Sequence, residues 1–213
     1  MAEPGQIVVL NGAPRSGKSS IASAIQERFD GPWMNLGVDV FARHVTPQRY
    51  QPGIGLRPGG ERPDLEAFLP MFYAAMYESV AAHSRLGLNV VVDVGHHDSY
   101  SRPLRILPRV ASQLDGLPVL VVGVRCPIEV IMQRRDAGQG EQEGRYATST
   151  RSGDIPDAVR LWQREVHLPG IYDLEVDTSV LSPAESADLI RARLRDGPAP
   201  TAFTQIASST DHG

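Results

Sequence analysis

Gly12-Ala13-Pro14-Arg15-Ser16-Gly17-Lys18-Ser19 stands between the apolar run Ile7-Val8-Val9-Leu10 and a stretch, residues 20–29, that reads as a helix. Strand, Gly-x-x-x-x-Gly-Lys-Ser and helix in that order form the context of a phosphate-binding loop. Gly12 and Gly17 let the backbone turn tightly and approach phosphate oxygens with no side chain in the way. The N–H groups that open the helix favour negative charge, and the phosphate-binding stretch runs from Gly12 through Ala13, Pro14, Arg15 and Ser16 to Ser19 and Ser20, with Pro14 contributing shape and no N–H. Lys18 can reach β- and γ-phosphates, and the Ser19 hydroxyl can ligate Mg²⁺. A chance match in a Gly-rich loop would lack the flanking strand and helix.

The 213 residues allow one full core, placed at residues 1–196. A net charge of −4 gives no general affinity for polyanions, so nucleic acid is not an expected partner. Cys126 is the single cysteine, which excludes an intrachain disulfide and reads as a buried structural thiol. With no secretory signal and no apolar run of membrane-spanning length, the expectation is a cytoplasmic chain without membrane contact. The oligomeric state stays open, a homo-oligomer included.

Outward from the loop, strands and helices alternate. Residues 33–38 read as a second strand that delivers Asp39, and a short helix begins near Phe41. Residues 46–63 are rich in Gly, Pro and Arg, so they form a loop or small hairpin; a loop of that length is expected to serve the substrate. Helical spacing runs from Leu65 through Phe68, Phe72, Met76 and Val80 to Arg85. That stripe reads as core, with Phe68, Phe72 and Tyr73 able to wall a pocket. Leu88 to Asp93 is the clearest buried strand. A helix over 101–114, a strand over 117–124 and a helix to about 136 follow. Residues 138–155 are polar and Gly-rich and read as a lid. After it come a helix to 166, a strand over 172–177 and a helix over 183–195 capped by Ser182. Residues 197–213 have no periodicity and read as a disordered, dispensable tail. Five such alternations predict an α/β fold, a doubly wound, five-stranded parallel sheet whose ligand edge is the carboxyl end of its strands.

That edge collects the candidate residues. Transfer to a hydroxyl needs a carboxylate to orient the O–H and take its proton, and Asp39 is the candidate, with helix capping as its plainer role. Asp93 resembles the acid that holds Mg²⁺ through water; a cap or loop hydrogen bond is its alternative, the two acids could exchange roles, and Asp98 is a third choice. His96 and His97 lack metal-ligand spacing, and either substrate contact or a solvated loop fits them. Arg134 and Arg135 end a helix that feeds the lid, where arginines neutralise charge on a phosphoryl group in flight; Arg145 and Arg151 lie within the lid itself.

Several blocks resemble the chloramphenicol phosphotransferase-like proteins: Asn11-Gly12 with Gly17-Lys18-Ser19, Pro32-Trp33 with Gly37-Val38-Asp39, Gly53-Ile54, residues 87–93, and Val122-Gly123-Val124-Arg125-Cys126. Val166-His167 with Tyr172-Asp173-Leu174-Glu175-Val176-Asp177-Thr178 is the most particular match, and the likeness covers about residues 6–195. The resemblance implies an ATP- and Mg²⁺-dependent O-phosphotransferase with a shikimate-kinase-like core. It implies Asp39 as base, Lys18, Ser19 and lid arginines around the phosphates, and Asp177 and Thr178 beside the adenine. Val94 stands where that family commonly has a second acid, and the lid is longer. The expected activity is transfer of a γ-phosphoryl group to a hydroxyl of a small molecule, an antibiotic such as chloramphenicol being one acceptor. A metabolite kinase acting on a sugar acid or nucleotide sugar is the alternative, and a nucleotide-dependent switch binding a protein partner is another.

Overall fold

The computed structural model describes residues 3–137 and 155–208. The chain runs β1 (Ile7–Asn11), α1 (Lys18–Arg28), β2 (Trp33–Asn35) and α2 (Val38–Val40). A single π-helical turn, Phe41–Val45, continues α2, and two 3₁₀ turns, Gln48–Tyr50 and Gly53–Gly55, follow. Then come α3 (Pro63–Glu66), α4 (Leu69–Arg85), β3 (Asn89–Val94), α5 (Ile106–Ala111), β4 (Val119–Arg125) and α6 (Ile128–Ala137). The described chain ends with α7 (Asp157–Glu165), β5 (Leu174–Asp177), α8 (Pro183–Asp196) and α9 (Ala202–Ser208).

The five strands lie in the order β2-β3-β1-β4-β5 and every pairing is parallel. The alternation of β1 explains both layers. Ile7 and Val9 face α4, α5 and α9 together with Val90, Val92 and Val121. Val8 and Leu10 face α1 and α8 together with Val91, Leu120, Val122 and Val176. A sheet covered on both faces needs continuous apolar strands, and β1 and β4 are such runs. Register brings Leu10 beside Asp93, and Arg125 beside Asp177, so the loops after β1, β3, β4 and β5 leave from one edge. Ser182 and Glu185 exchange side-chain and backbone hydrogen bonds as a capping box at the start of α8.

Two expectations change. The helix expected over 101–114 starts only at Ile106, because Asp98 Oδ1 accepts from the Leu104 and Arg105 N–H groups and Arg105 is left-handed, which keeps the chain before it out of the helix. Residues 202–208, expected to be unstructured, form α9: Ala202, Phe203 and Ile206 are buried against α5 and β4. Asp173 Oδ1 accepts from Thr201 N and Ala202 N and caps that helix, while its Oδ2 accepts from Val121 N. A seven-residue helix is marginal alone, and both its cap and its packing surface come from elsewhere in the chain. The lid at 138–155, with Arg145 and Arg151, lies outside the described residues but for Ile155.

Candidate active site

The loop after β1 is held by what surrounds it. Arg15 and Gly17 adopt left-handed φ values of +71° and +99°, and these turn the chain into α1. A Cβ on Gly12 would stand 2.5 Å from Val124 O and 2.8 Å from Ser16 Oγ, so only glycine fits there. Arg134 clamps the loop from outside: its guanidinium donates to Arg15 O (3.3 Å), Thr178 Oγ1 (3.1 Å) and Thr178 O (2.6 Å). Thr178 Oγ1 in turn donates to Ser16 O at 2.6 Å. Beneath the loop, Ala13 packs with Cys126, Ile131 and Val159 in a small core that joins it to α6 and α7, which gives Cys126 its buried structural role.

Above the loop lies a cavity of about 600 Å³. Gly12, Pro14, Arg15, Lys18, Ser19, Asp93 and Arg135 line its phosphate-loop end. Ser19 Oγ donates to Asp93 Oδ2 at 2.9 Å. Lys18 Nζ donates to Gly12 O (2.8 Å) and Ala13 O (2.9 Å), across the mouth of the loop. Burial lowers the Lys18 pKa to about 8, against the opposing pull of Asp93 and Asp39. Burial likewise raises the Asp93 pKa, with Lys18 and the Ser19 hydroxyl pulling it back down. Both groups strain toward an opposite charge. A hard cation between a Ser hydroxyl, a carboxylate and phosphate oxygens suits this donor set, which fits Mg²⁺. Among the described residues no group of three or more His, Cys, Asp or Glu could hold a metal by itself.

Across the cavity stands Asp39, in the first turn of α2. It does not cap that helix, since Gly37 is the N-cap; its Oδ2 accepts from Arg43 at 3.4 Å. Gly37 carries a signal that composition hides: a Cβ there would stand 1.7 Å from Asp93 Oδ1. The glycine lets the β2–α2 turn press onto the Asp93 carboxylate and so sets the two acids on one cavity. Trp162 of α7 also lines the cavity, with its indole nitrogen near Gly95.

The structure separates the other candidates. Arg135, 5% exposed, lines the cavity, whereas Arg134 is spent on the loop and Thr178. Asp177 closes a turn by accepting from Ser179 N and Oγ, and neither Asp177 nor Thr178 lines the cavity. Ser20 is exposed in α1 and Ser16 is buried beneath the loop. Asp98 accepts from the Leu104 and Arg105 N–H groups and does not line the cavity. His96 and His97 are neither solvated nor in the cavity lining. His96 Nε2 hydrogen-bonds Tyr77 Oη at 2.7 Å, and its ring packs against Tyr73 and Tyr77; burial lowers its pKa to about 3. Asn11 Oδ1 accepts from His96 N, and Asn11 Nδ2 donates to Val166 O, so one side chain ties the end of β1 to two loops. His97 Nε2 is 3.0 Å from Leu56 O and pins the loop at 46–63. Tyr73 donates to Ile54 O and supports that loop from below; Phe68 and Phe72 stack with each other and meet Tyr50 at a tilt, and neither lines the cavity.

Comparison with known proteins follows the same lines. A family model described as chloramphenicol phosphotransferase-like protein matches residues 5–195. A Mycobacterium tuberculosis protein whose name marks it as a candidate O-phosphotransferase is 26% identical, over 95% of this chain and 88% of its own length. Among solved structures, the Deinococcus radiodurans tunicamycin resistance protein superposes with a TM-score of 0.55 at 21% identity, covering 90% of this chain and 96% of its own. The M. tuberculosis APS kinase, solved with AMPPNP and APS, does so with a TM-score of 0.55 at 19% identity, covering 91% and 99%. These likenesses establish a P-loop kinase fold.

Proposed function

The chain belongs to the chloramphenicol phosphotransferase-like family, and from that premise we propose that it moves the γ-phosphoryl group of ATP to a hydroxyl of a small molecule. A P-loop phosphotransferase is the coarse identity. The ATP donor, the Mg²⁺ and the hydroxyl acceptor are the proposal. One observation carries it: the Ser19–Asp93 pair and Asp39 face a single cavity above a glycine-lined loop. The APS kinase of the same fold was solved with AMPPNP, which supports an adenine nucleotide as donor here.

The roles follow from the residues. MgATP supplies an activated phosphoryl group whose charge grows as it transfers. Lys18 and Arg135 bring positive charge to that end of the cavity, and Ser19 and Asp93 would hold the cation. Asp39 orients the acceptor hydroxyl and takes its proton. Arg134 and Thr178 keep the loop in shape and touch no substrate. A switch protein needs no acid opposite its phosphate loop, so Asp39 weighs against that reading. No helix among the described residues is long and apolar enough to cross a membrane.

The test is MgATP consumption with chloramphenicol and a panel of hydroxylated antibiotics and metabolites, with products read by mass spectrometry. A phosphorylated acceptor is expected. A chain that neither binds nor turns over any nucleotide would sink the proposal.

A further inference from the structure

The charge of the cavity is not that of the molecule. The chain carries −4 overall, yet among the described residues six cationic side chains line the cavity against three carboxylates. Arg15, Lys18 and Arg135 sit at the phosphate loop, where a triphosphate accounts for them. The other three, Arg43, Arg57 and Arg62, lie on the acceptor side with Asp39 and Glu61. A donor nucleotide gives no reason for that second group.

We propose that the acceptor itself carries an oxyanion, a carboxylate or phosphate, bound by Arg57 with Arg43 and Arg62 at the end of the cavity beyond Asp39. This rests on the phosphotransferase reading and narrows its substrate class. Three arguments support it. The three arginines come from three successive pieces of chain, the π-helical turn, the loop after Gly53–Gly55 and the residue before α3, so no single helix face explains their convergence. The loop that presents Arg57 is fixed on both sides: Leu56 O lies 3.0 Å from His97 Nε2, and Gly59 N donates to Ser99 O at 2.7 Å. A guanidinium held by rigid backbone suits the two-pronged recognition of a carboxylate or phosphate.

The pairs that Arg43 and Arg62 make are the exchangeable kind. Arg43 to Asp39 spans 3.4 Å and Arg62 to Asp64 spans 2.7 Å, with all four side chains between 46% and 62% exposed. Pairs so exposed contribute little, and an entering anion can displace them. Val38, Ala42, Ile54 and Leu56 complete this end, so the acceptor is a compact molecule with an apolar edge, a hydroxyl and an acidic group.

The experiment titrates the Mg·AMPPNP complex by calorimetry with matched pairs: D-gluconate against D-glucitol, and glycerol 3-phosphate against glycerol. At least one acid is expected to bind about tenfold or more tighter than its neutral match, the worth of a charge-assisted bond pair. Which acid binds separates the carboxylate from the phosphate. Arg57→Gln should erase the preference and Arg57→Lys keep part of it, both with the AMPPNP affinity unchanged. If acids and neutral matches behave alike, including no binding of either, the acidic acceptor is wrong while the phosphotransferase reading stands. Phosphorylation of chloramphenicol with kcat/KM above that of every acid on the panel overturns it as well. A chain that binds no AMPPNP overturns both.

Discussion

The two ends of the cavity are built differently. The phosphate end is built on one continuous stretch, β1 through α1, joined by Asp93 and Arg135, and its shape comes from local backbone conformation and a hydrogen-bonded clamp from Arg134 and Thr178. The acceptor end, residues 38–62, is a chain of single turns with half-exposed arginines, held in place from outside by Tyr73 and His97. A preorganised phosphate end suits electrostatic stabilisation, which needs its dipoles fixed before the reaction. An acceptor end made of short turns on a rigid scaffold can vary without disturbing the chemistry. The contrast teaches that the donor side is written in one motif and the acceptor side in tertiary contacts.

The sharpest break in that comparison is at the phosphate end. Lys18→Ala should reduce phosphoryl transfer by about 10³-fold, the scale of losing one preorganised charge on the reacting group. Arg134→Gln leaves the lysine in place but unclamps the loop. It should lower the melting temperature and weaken nucleotide binding without abolishing turnover. If Arg134→Gln abolishes turnover while the fold and AMPPNP affinity persist, Arg134 touches the phosphates and its assignment as a clamp is wrong.

On the acceptor side, Asp39→Asn should lower transfer by about 10²-fold or more while AMPPNP affinity stays as it was. Full transfer by that variant would remove Asp39 as base. Gly37→Ala tests how the two ends are joined. Its methyl group has no room beside Asp93 Oδ1, so β2–α2 must shift away, with an expected loss of up to about 10²-fold in transfer from misplacement of Asp39 against Asp93. Ordinary activity in Gly37→Ala would show that the distance between the acids is uncritical.

What the sequence made legible divides along the same line. The loop, the buried strands and the layer order follow from residues adjacent in the chain: β-branched runs for β1, β3 and β4, and glycines at the turn into α1. Gly37 was invisible because its reason is a carboxylate on another strand. Substrate contact and a solvated loop fitted the two histidines equally because their partners, Tyr77 and Leu56 O, lie 19 and 41 residues away. Arg134 and Arg135 differ by one position in a helix, and only packing decides that one clamps and the other faces the cavity. The tail was misread because α9 takes its cap from Asp173, 28 residues before it.

That tail gives the next test. Phe203 of α9 meets Tyr77, which holds His96, whose N–H binds Asn11 at the end of β1. Ending the chain at residue 197 should therefore cost about 2–4 kcal/mol of stability from the lost burial of Phe203 and Ile206, read as a lower denaturation midpoint. The family match stops at residue 195, before this helix. An unchanged midpoint would return the tail to its dispensable status.

The smallest expected effect concerns a proton. Burial holds the Lys18 pKa at about 8, and a polyphosphate beside it favours the charged form. Binding should then draw a proton onto the lysine in the fraction of molecules that lack one, roughly half of them at pH 8 and about a tenth at pH 7. The sign is fixed: nucleotide affinity is full well below pH 8 and declines as pH rises through it. Calorimetry of AMPPNP binding at pH 8 in two buffers of different ionisation enthalpy reads the uptake directly. Asp39→Asn removes one of the two acids that raise this pKa, so its uptake at pH 8 should be larger than in the parent chain. Equal heats in the two buffers would mean that Lys18 is already fully charged and that the phosphate end is wetter than its burial implies.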